Sequence, residues 1–265
     1  MDGKESWNAG VETMEGVGLR IMSLNVAHGR GLMPVGFGSK KMFRRNLERI
    51  AEHIASHSPD IVGLQEVDER ATATGRFNHL DLIAELAGFE HQAHAVHSGE
   101  NGIPIKGRYG TALLSRHPIV RERSFRFGTS VIDWKGALEA TVSVGDSHMR
   151  AVSVHLDFLR PSVRRRQTEM LAEWLKAGEH PVVVMGDFNC SLRGREDALR
   201  TLAEALELET HECRRPASHT FPSISPKRRI DYIFAGNGAK VEHYETHRVR
   251  LSDHLPVVAR VRLPG

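Results

Sequence analysis

PVVVMGDFN, residues 181–189, sets three β-branched residues behind a proline and closes on Gly-Asp-Phe-Asn. A short apolar run entered through proline and left through glycine, aspartate and asparagine reads as a buried β-strand with a polar end. Just upstream, Val163, Met170, Leu171, Trp174 and Leu175 share one helical stripe between residues 162 and 177, which closes at Gly178. The same order occurs earlier in the chain. Phe43, Leu47, Ile50 and Ile54 form a stripe with Arg44, Arg45, Glu48 and Glu52 facing away, and Ser58-Pro59-Asp60 then leads into DIVGLQE (60–66). Helix, proline-containing turn, apolar strand and terminal carboxylate thus occur twice. This predicts two similar halves, each a sheet covered by helices on one face.

Further strands are expected at LRIMSLN (19–25), GTALLS (110–115), GALEATVSV (136–144), MRAVSVHLD (149–157), RIDYIF (229–234) and PVVARVRL (256–263), from their β-branched or alternating apolar residues. Helices are also expected at 78–87 and 195–207. Only Gly145-Asp146-Ser147-His148 separates two of the strands, which is hairpin spacing. That argues for mixed or antiparallel sheets packed face to face, rather than a doubly wound parallel sheet.

The 265 residues, 40% hydrophobic and 26% charged, suit a soluble protein with one large core. Residues 1–17 are expected to form a flexible tail ahead of a single domain over 18–265. The chain has no apolar run of membrane-spanning length, and its polar, glycine-rich start is not a secretory signal, so the expected location is cytoplasmic. A net charge of +3 is too small for a protein that coats nucleic acid. The basic clusters Arg164 to Arg166 and Lys227 to Arg229 are either solvated faces or groups on a site rim. Cys190 and Cys213 have neither disulfide-framework nor metal-site spacing. His91, His94 and His97 fit neither helical nor strand metal spacing and are expected at the surface.

The strand ends repeatedly carry groups that bind metal or move protons. Asn25 closes the first strand, Glu66 the second, His155 and Asp157 the fifth, and Asp187 and Asn189 the sixth. Asp231 starts the seventh, and Ser252-Asp253-His254 precedes the last. Single cases would be turn formers or caps, but so many at strand ends point to a shared pocket. Glu66 and Asp253 are hard oxygen donors suited to Mg²⁺ or Mn²⁺, with Asn25 adding a neutral oxygen. His254 is a candidate proton carrier that Asp231 could orient. Asp187 could take the proton of an attacking water, while Asn189 and His155 donate to phosphoryl oxygens. Asp157 either supports His155 or ends its strand, and Tyr109 lies near the expected mouth. There is no Gly-x-Ser-x-Gly elbow and no zinc-type Cys/His spacing.

Seven segments, MSLNVAHG (22–29), VGLQEVD (62–68), YGTALLSRHPI (109–119), VSVHLDF (152–158), VVVMGDFN (182–189), RRIDYIF (228–234) and LSDHLPV (251–257), together resemble the endonuclease/exonuclease/phosphatase superfamily, the DNase I-like proteins. The order is the superfamily's own. Thr220-Phe221-Pro222-Ser223 is similar to a segment of its bacterial metal-dependent hydrolases. The resemblance implies a four-layer αββα sandwich of two packed mixed sheets. It also implies metal-site roles for Asn25, Glu66 and Asp253, and catalytic roles for His155, Asp187, Asn189, Asp231 and His254. The implied activity is phosphodiesterase or phosphatase hydrolysis dependent on Mg²⁺ or Mn²⁺. Nuclease and sphingomyelinase-like activities, or a non-catalytic binding module, are the alternatives. The implied partner is a phosphoester, with nucleic acid or peripheral lipid contact also compatible and a monomer as the default. The glycine-rich loop GRGLMPVGFGSK (29–40) has no assigned role, and its spacing is not that of a nucleotide P-loop.

Overall fold

A computed structural model of the chain describes residues 16–34, 36–98, 107–128, 135–211 and 216–265. The expected tail lies almost wholly outside these residues, and Cys213 lies outside them too.

The duplicated unit seen in the sequence becomes two parallel crossovers. Strand β1 (Gly18–Asn25) runs through helix α1 (Lys40–His57) into its parallel neighbour β2 (Ile61–Asp68). Later, β7 (Ser147–His155) runs through α3 (Pro161–Leu175) into parallel β8 (Val182–Asp187). Antiparallel strands flank each crossover. The first sheet has the order β10-β11-β1-β2-β4-β3, with β3 at His91–Val96, β4 at Tyr109–Ser115, β10 at Lys240–Thr246 and β11 at Val257–Arg262. The second has the order β5-β6-β7-β8-β9, with β5 at Ile119–Arg126, β6 at Gly136–Val144 and β9 at Asp231–Gly236. Helix α2 (His79–Ala87) joins α1 over the first sheet, and α4 (Ala198–Ala205) joins α3 over the second.

Three apolar layers hold this αββα sandwich together. The central one interleaves Ile21, Ile61, Leu113 and Ala259 of one sheet with Ala140, Met185 and Ile233 of the other. The outer layers bury Leu47, Ile50 and Ile54 of α1 on the first sheet, and Leu171 and Leu175 of α3 on the second. Side chains alternate along a strand, so the inward face can be read by parity. Met149 and Ala151 put His155 on the inward face of β7. Met185 does the same for Asp187 on β8, Ile233 for Asp231 on β9, and Ile21 for Asn25 on β1. Four polar strand ends therefore point into the cleft between the sheets.

Glu66 has the opposite parity, because Val62 and Leu64 face outward. The ladder with β4 slips between Gln65 and Val67, and Glu66 itself takes φ 56°. This one-residue bulge turns the carboxylate toward the cleft, a role bulges commonly play beside functional sites. Glu66 therefore sits in a bulge inside β2, not at its end.

Several expectations are corrected. The hairpin joining β6 to β7 turns on two residues, Gly145 and Asp146, because Val144 pairs with Ser147. β3, β5 and β10 were absent from the expected strands, and each is a sheet edge. Their sequences, HQAHAV, IVRERSFR and KVEHYET, carry the polar and charged residues that keep edges from pairing with other chains, which hides the apolar alternation.

His97 is not at the surface. It is 3% exposed, with Nε2 2.9 Å from Thr111 Oγ1 and with Nδ1 buried without a partner. Burial, with Arg126, His94 and Lys135 nearby, holds it down to about 3. Since this is below its ordinary 6.5, the unfolded chain takes up this proton first, and the stability His97 contributes is lost as the pH falls below about 6.5. Near pH 5 the loss reaches about 2 kcal/mol from this one residue. His97→Gln should flatten that part of a plot of unfolding free energy against pH. An unchanged slope would show that the buried imidazole does not drive acid sensitivity.

Candidate active site

Register alone brings three of the expected residues into a row: His155 pairs with Asp187 across β7 and β8, and Asp187 pairs with Asp231 across β8 and β9. Asn25 enters from the other sheet and donates from Nδ2 to Asp187 Oδ2 at 3.1 Å. His155 Nε2 lies 3.4 Å from that same oxygen and 3.8 Å from Glu66. Below them, Gln65 donates to Ser153 Oγ at 3.1 Å, forming a polar floor between the sheets.

His254 arrives on the segment before β11. Its Nδ1 is 3.0 Å from Asp231 Oδ2, and its Nε2 is 3.6 Å from Asp187. Thr220-Phe221-Pro222-Ser223 cradles this segment. Leu255 N–H donates to Thr220 O at 2.9 Å, Ser223 Oγ donates to Ser252 O at 2.6 Å, and the Phe221 ring packs 4.9 Å from the His254 ring. Asn189 takes φ 55°, donates from Nδ2 to Leu156 O at 3.0 Å, and gives its own N–H to Asp187 Oδ1 at 2.9 Å. Strained backbone at both Glu66 and Asn189 marks positions that the surrounding structure over-determines.

The electrostatics separate the roles. Burial pushes the Asp187 carboxyl up to about 6, and Asp231 adds to the rise. Burial opposes charge on His254, but Asp231 and Asp187 outweigh it and lift the imidazole to about 10. Burial and the Lys135 ammonium both drive His155 well below its ordinary value. Near neutral pH the cleft thus holds a cationic His254, a neutral His155 and an aspartate able to exchange a proton. Glu66 resists its burial because His28, Lys135, His155 and His254 surround it, which keeps it ionised.

Three further groups were not among the expected site residues. His28 bonds from Nδ1 to Asp68 Oδ1 at 2.6 Å and sets Nε2 3.5 Å from Glu66. Arg30 donates to Asp253 Oδ2 at 2.5 Å and, from its other terminal nitrogen, to Met33 O at 2.7 Å. Lys135 Nζ is 2.7 Å from His155 Nε2. Arg30 lies in the glycine-rich loop left without a role and His28 immediately precedes it, in a turn that Asn25 helps to shape by accepting from Ala27 N–H at 2.9 Å. A histidine and an arginine just past a polar strand end were the readable signal there. Lys135 carried none, being a lone lysine before β6.

Other expectations fall away from the cleft. Asp157 accepts from the N–H groups of Leu159 and Arg160, at 2.9 and 2.6 Å, and so shapes the turn into α3. Arg164 is buried, forked onto Glu196 by two 2.6 Å bonds, and tied to Asp157 O. Arg229 stacks between Tyr232 and Tyr244. These two arginines are structural, which leaves Arg165, Arg166, Lys227 and Arg228 exposed. Tyr109 sits at the mouth, its ring edge-on to His28 at 4.7 Å.

Asp187, Asp231 and His254 present ligand atoms within 4.8 Å of one another, the geometry of a metal site, but a cationic His254 would have to give up its proton to ligate. Glu66 and Asp253 are more open, their side chains 20% and 27% exposed against 2% and 1% for Asp187 and Asp231. Glu66 sits beside the His28 ring and Asp253 beside the Arg30 guanidinium. Accessible carboxylate oxygens of this kind fit a hard divalent ion.

The chain matches the family model described as Endonuclease/Exonuclease/phosphatase family over residues 22–254. It is 31% identical over 230 residues to the uncharacterized protein YbhP of Escherichia coli strain K12, covering 82% of this chain and 88% of that one. Among solved structures, the endonuclease/exonuclease/phosphatase of Beutenbergia cavernae superposes with a TM-score of 0.75 at 23% identity, covering 94% of this chain and 72% of that one. Its counterpart from Bacteroides vulgatus gives 0.71 at 19% identity, covering 93% and 99%. These two structural likenesses concern the fold. Among the described residues no helix is long and apolar enough to cross a membrane.

Proposed function

The chain belongs to the endonuclease/exonuclease/phosphatase family, and from that premise we propose that it hydrolyses phosphoesters by direct attack of water on phosphorus, with a divalent metal. The observation that carries this reading is the row His155–Asp187–Asp231 closed by His254. An aspartate near about 6 beside an imidazolium is a base and an acid in one cleft. Asp187 accepts the proton of the attacking water. His254, held by Asp231, gives hydrogen bonds to the phosphoryl oxygens as charge builds on them. Asn189 and His155 position the same group.

Mg²⁺ or Mn²⁺ held by Glu66 and Asp253, with Asn25, would neutralise charge on the phosphoryl and leaving oxygens. Exhaustive chelation should therefore abolish activity, and added Mg²⁺ or Mn²⁺ should restore it. Activity that survives chelation would remove the metal from this account.

Phe158 and Leu159 are 64% and 68% exposed on the turn just after Asp157, with Lys135 Nζ 5.9 Å from the Phe158 ring. An apolar edge beside His155 favours a diester that carries an apolar or aromatic group over a bare monoester. Bis(p-nitrophenyl) phosphate should be turned over faster than p-nitrophenyl phosphate, and Phe158→Ser should raise KM for the diester more than it lowers kcat. Equal turnover of both esters would remove the diester preference. Segments 102–110 and 125–134, candidate apolar loops for reaching a lipid, lie partly outside the described residues.

A further inference from the structure

Helix α1 carries His53 and His57 one turn apart, a spacing that places both rings on the same face. His247, in the segment after β10, reaches that face. His53 Nε2 lies 3.0 Å from His247 Nδ1, and one ring nitrogen from each of the three histidines lies within 4.8 Å of the others. The ring centroids are 4.3 Å apart for His53 and His57, 5.1 Å for His53 and His247, and 4.3 Å for His57 and His247. Three imidazoles are crowded together with no carboxylate between them, on the outer helical layer of the first sheet.

Partners outside the cluster fix two of the rings. His57 donates from Nδ1 to His53 O at 2.8 Å, which leaves Nε2 as its lone-pair nitrogen. His247 donates from Nε2 to Glu245 Oε1 at 2.9 Å, which leaves Nδ1, the nitrogen facing His53, as its lone pair. A carboxylate or a carbonyl behind an imidazole is the usual support of a metal-bound histidine. Burial and the two neighbouring rings also hold His53 down to about 4, so it is neutral at physiological pH, as a ligand must be.

We propose that His53, His57 and His247 form a second metal site, separate from the phosphoester cleft, that takes a borderline transition-metal ion such as Zn²⁺. Imidazole nitrogen suits Zn²⁺ and disfavours Mg²⁺, whereas the oxygen-rich cleft has the reverse preference. Three histidines leave the fourth tetrahedral position to water. On binding, the proton between His53 Nε2 and His247 Nδ1 moves to His53 Nδ1, and the ring stays neutral. The ion then staples α1 to the segment 247–251, which Asn46 already holds by donating to Leu251 O at 2.9 Å. That segment leads directly into Ser252-Asp253-His254, so occupancy would rigidify one wall of the cleft from behind.

The test is titration calorimetry of the full chain with ZnCl2, in buffer holding Mg²⁺ in large excess to occupy the oxygen site. One equivalent of Zn²⁺ is expected to bind and to raise the melting temperature. Binding should vanish in His57→Ala and in His247→Ala, persist in Glu66→Gln, and weaken by about 10- to 100-fold in Glu245→Gln, which removes only the outer support. Co²⁺ in place of Zn²⁺ should give the visible absorption of a tetrahedral nitrogen site, lost in the same two variants. Zn²⁺ uptake that is absent under excess Mg²⁺ would overturn the proposal. So would uptake that is unchanged in both histidine variants, or abolished only by Glu66→Gln. Should either alanine variant fail to fold, the Co²⁺ spectrum of Glu245→Gln carries the same decision.

Discussion

Asp187→Asn is expected to lower kcat by about 100- to 10,000-fold, the range for loss of a positioned general base, without lowering the melting temperature. The replacement has the same shape and its amide oxygen can still accept from Asn189 N–H, while the Asn25 Nδ2 contact would face the new NH2 and be lost, a cost offset by removing a buried carboxylate. What disappears is the ability to accept a proton. The carboxyl also carries a burial cost, since its value near about 6 lies above the ordinary 3.8. A group raised in this way destabilises the fold wherever it is ionised, so near neutral pH its removal should hold or raise stability. Activity falling while stability holds is the mark of a residue kept for chemistry. Full activity in Asp187→Asn would end its assignment as the base. Collapse of the fold would show that it is a structural carboxylate instead.

A different carboxylate should show the reverse pattern. Glu139 on β6 accepts from Arg123 at 3.1 and 2.8 Å and from Arg150 at 3.3 and 3.0 Å, and the Arg150 side chain is only 4% exposed. Its value sits below the ordinary range because these hydrogen bonds overcome its burial. Glu139→Ala leaves the Arg150 guanidinium buried, with Leu175 O at 3.0 Å as its remaining acceptor. The expected loss is about 3–5 kcal/mol of unfolding free energy by chemical denaturation, the cost of stranding one member of a buried pair. The double variant Glu139→Leu/Arg150→Met should recover much of it, because a matched apolar pair leaves no charge uncompensated. A single-variant loss under about 1 kcal/mol would show that water reaches the guanidinium after all.

The contrast explains what the sequence disclosed and what it withheld. Both crossovers were legible, because a stripe at helical spacing followed by Pro and an apolar run has few other solutions, as Phe43 to Ile54 and Val163 to Leu175 show. Asn25, His155, Asp187 and Asp231 were legible as a group because parity and strand ends are sequence properties. The three missed edge strands were hidden by the charges that protect them. Glu66 could be found but not placed, since nothing local announces the bulge that turns it inward. His28, Arg30 and Lys135 come from loops, whose paths are set by what they pack against rather than by period. Arg164 and Arg229 were read as potential rim charges. Only the fold reveals the buried Glu196 fork and the stacked tyrosines that claim them.

The order of the first sheet has a consequence for how the protein is made. β1 is hydrogen-bonded to β2 on one side and to β11 on the other, so Ser23 sits beside both Gly63 and Val257. During synthesis the second sheet, whose strands run from Ile119 to Gly236, can assemble from one continuous stretch of chain. The first sheet cannot. Its opening strand keeps one unsatisfied edge until residues 257–262 have left the ribosome, a long-range closure of the kind that slows folding. The Ser252-Asp253-His254 segment comes into place with that same closure. A nascent chain stopped short of β11 should therefore hold a folded second half and no competent cleft, and catalysis should switch on only with the last strand.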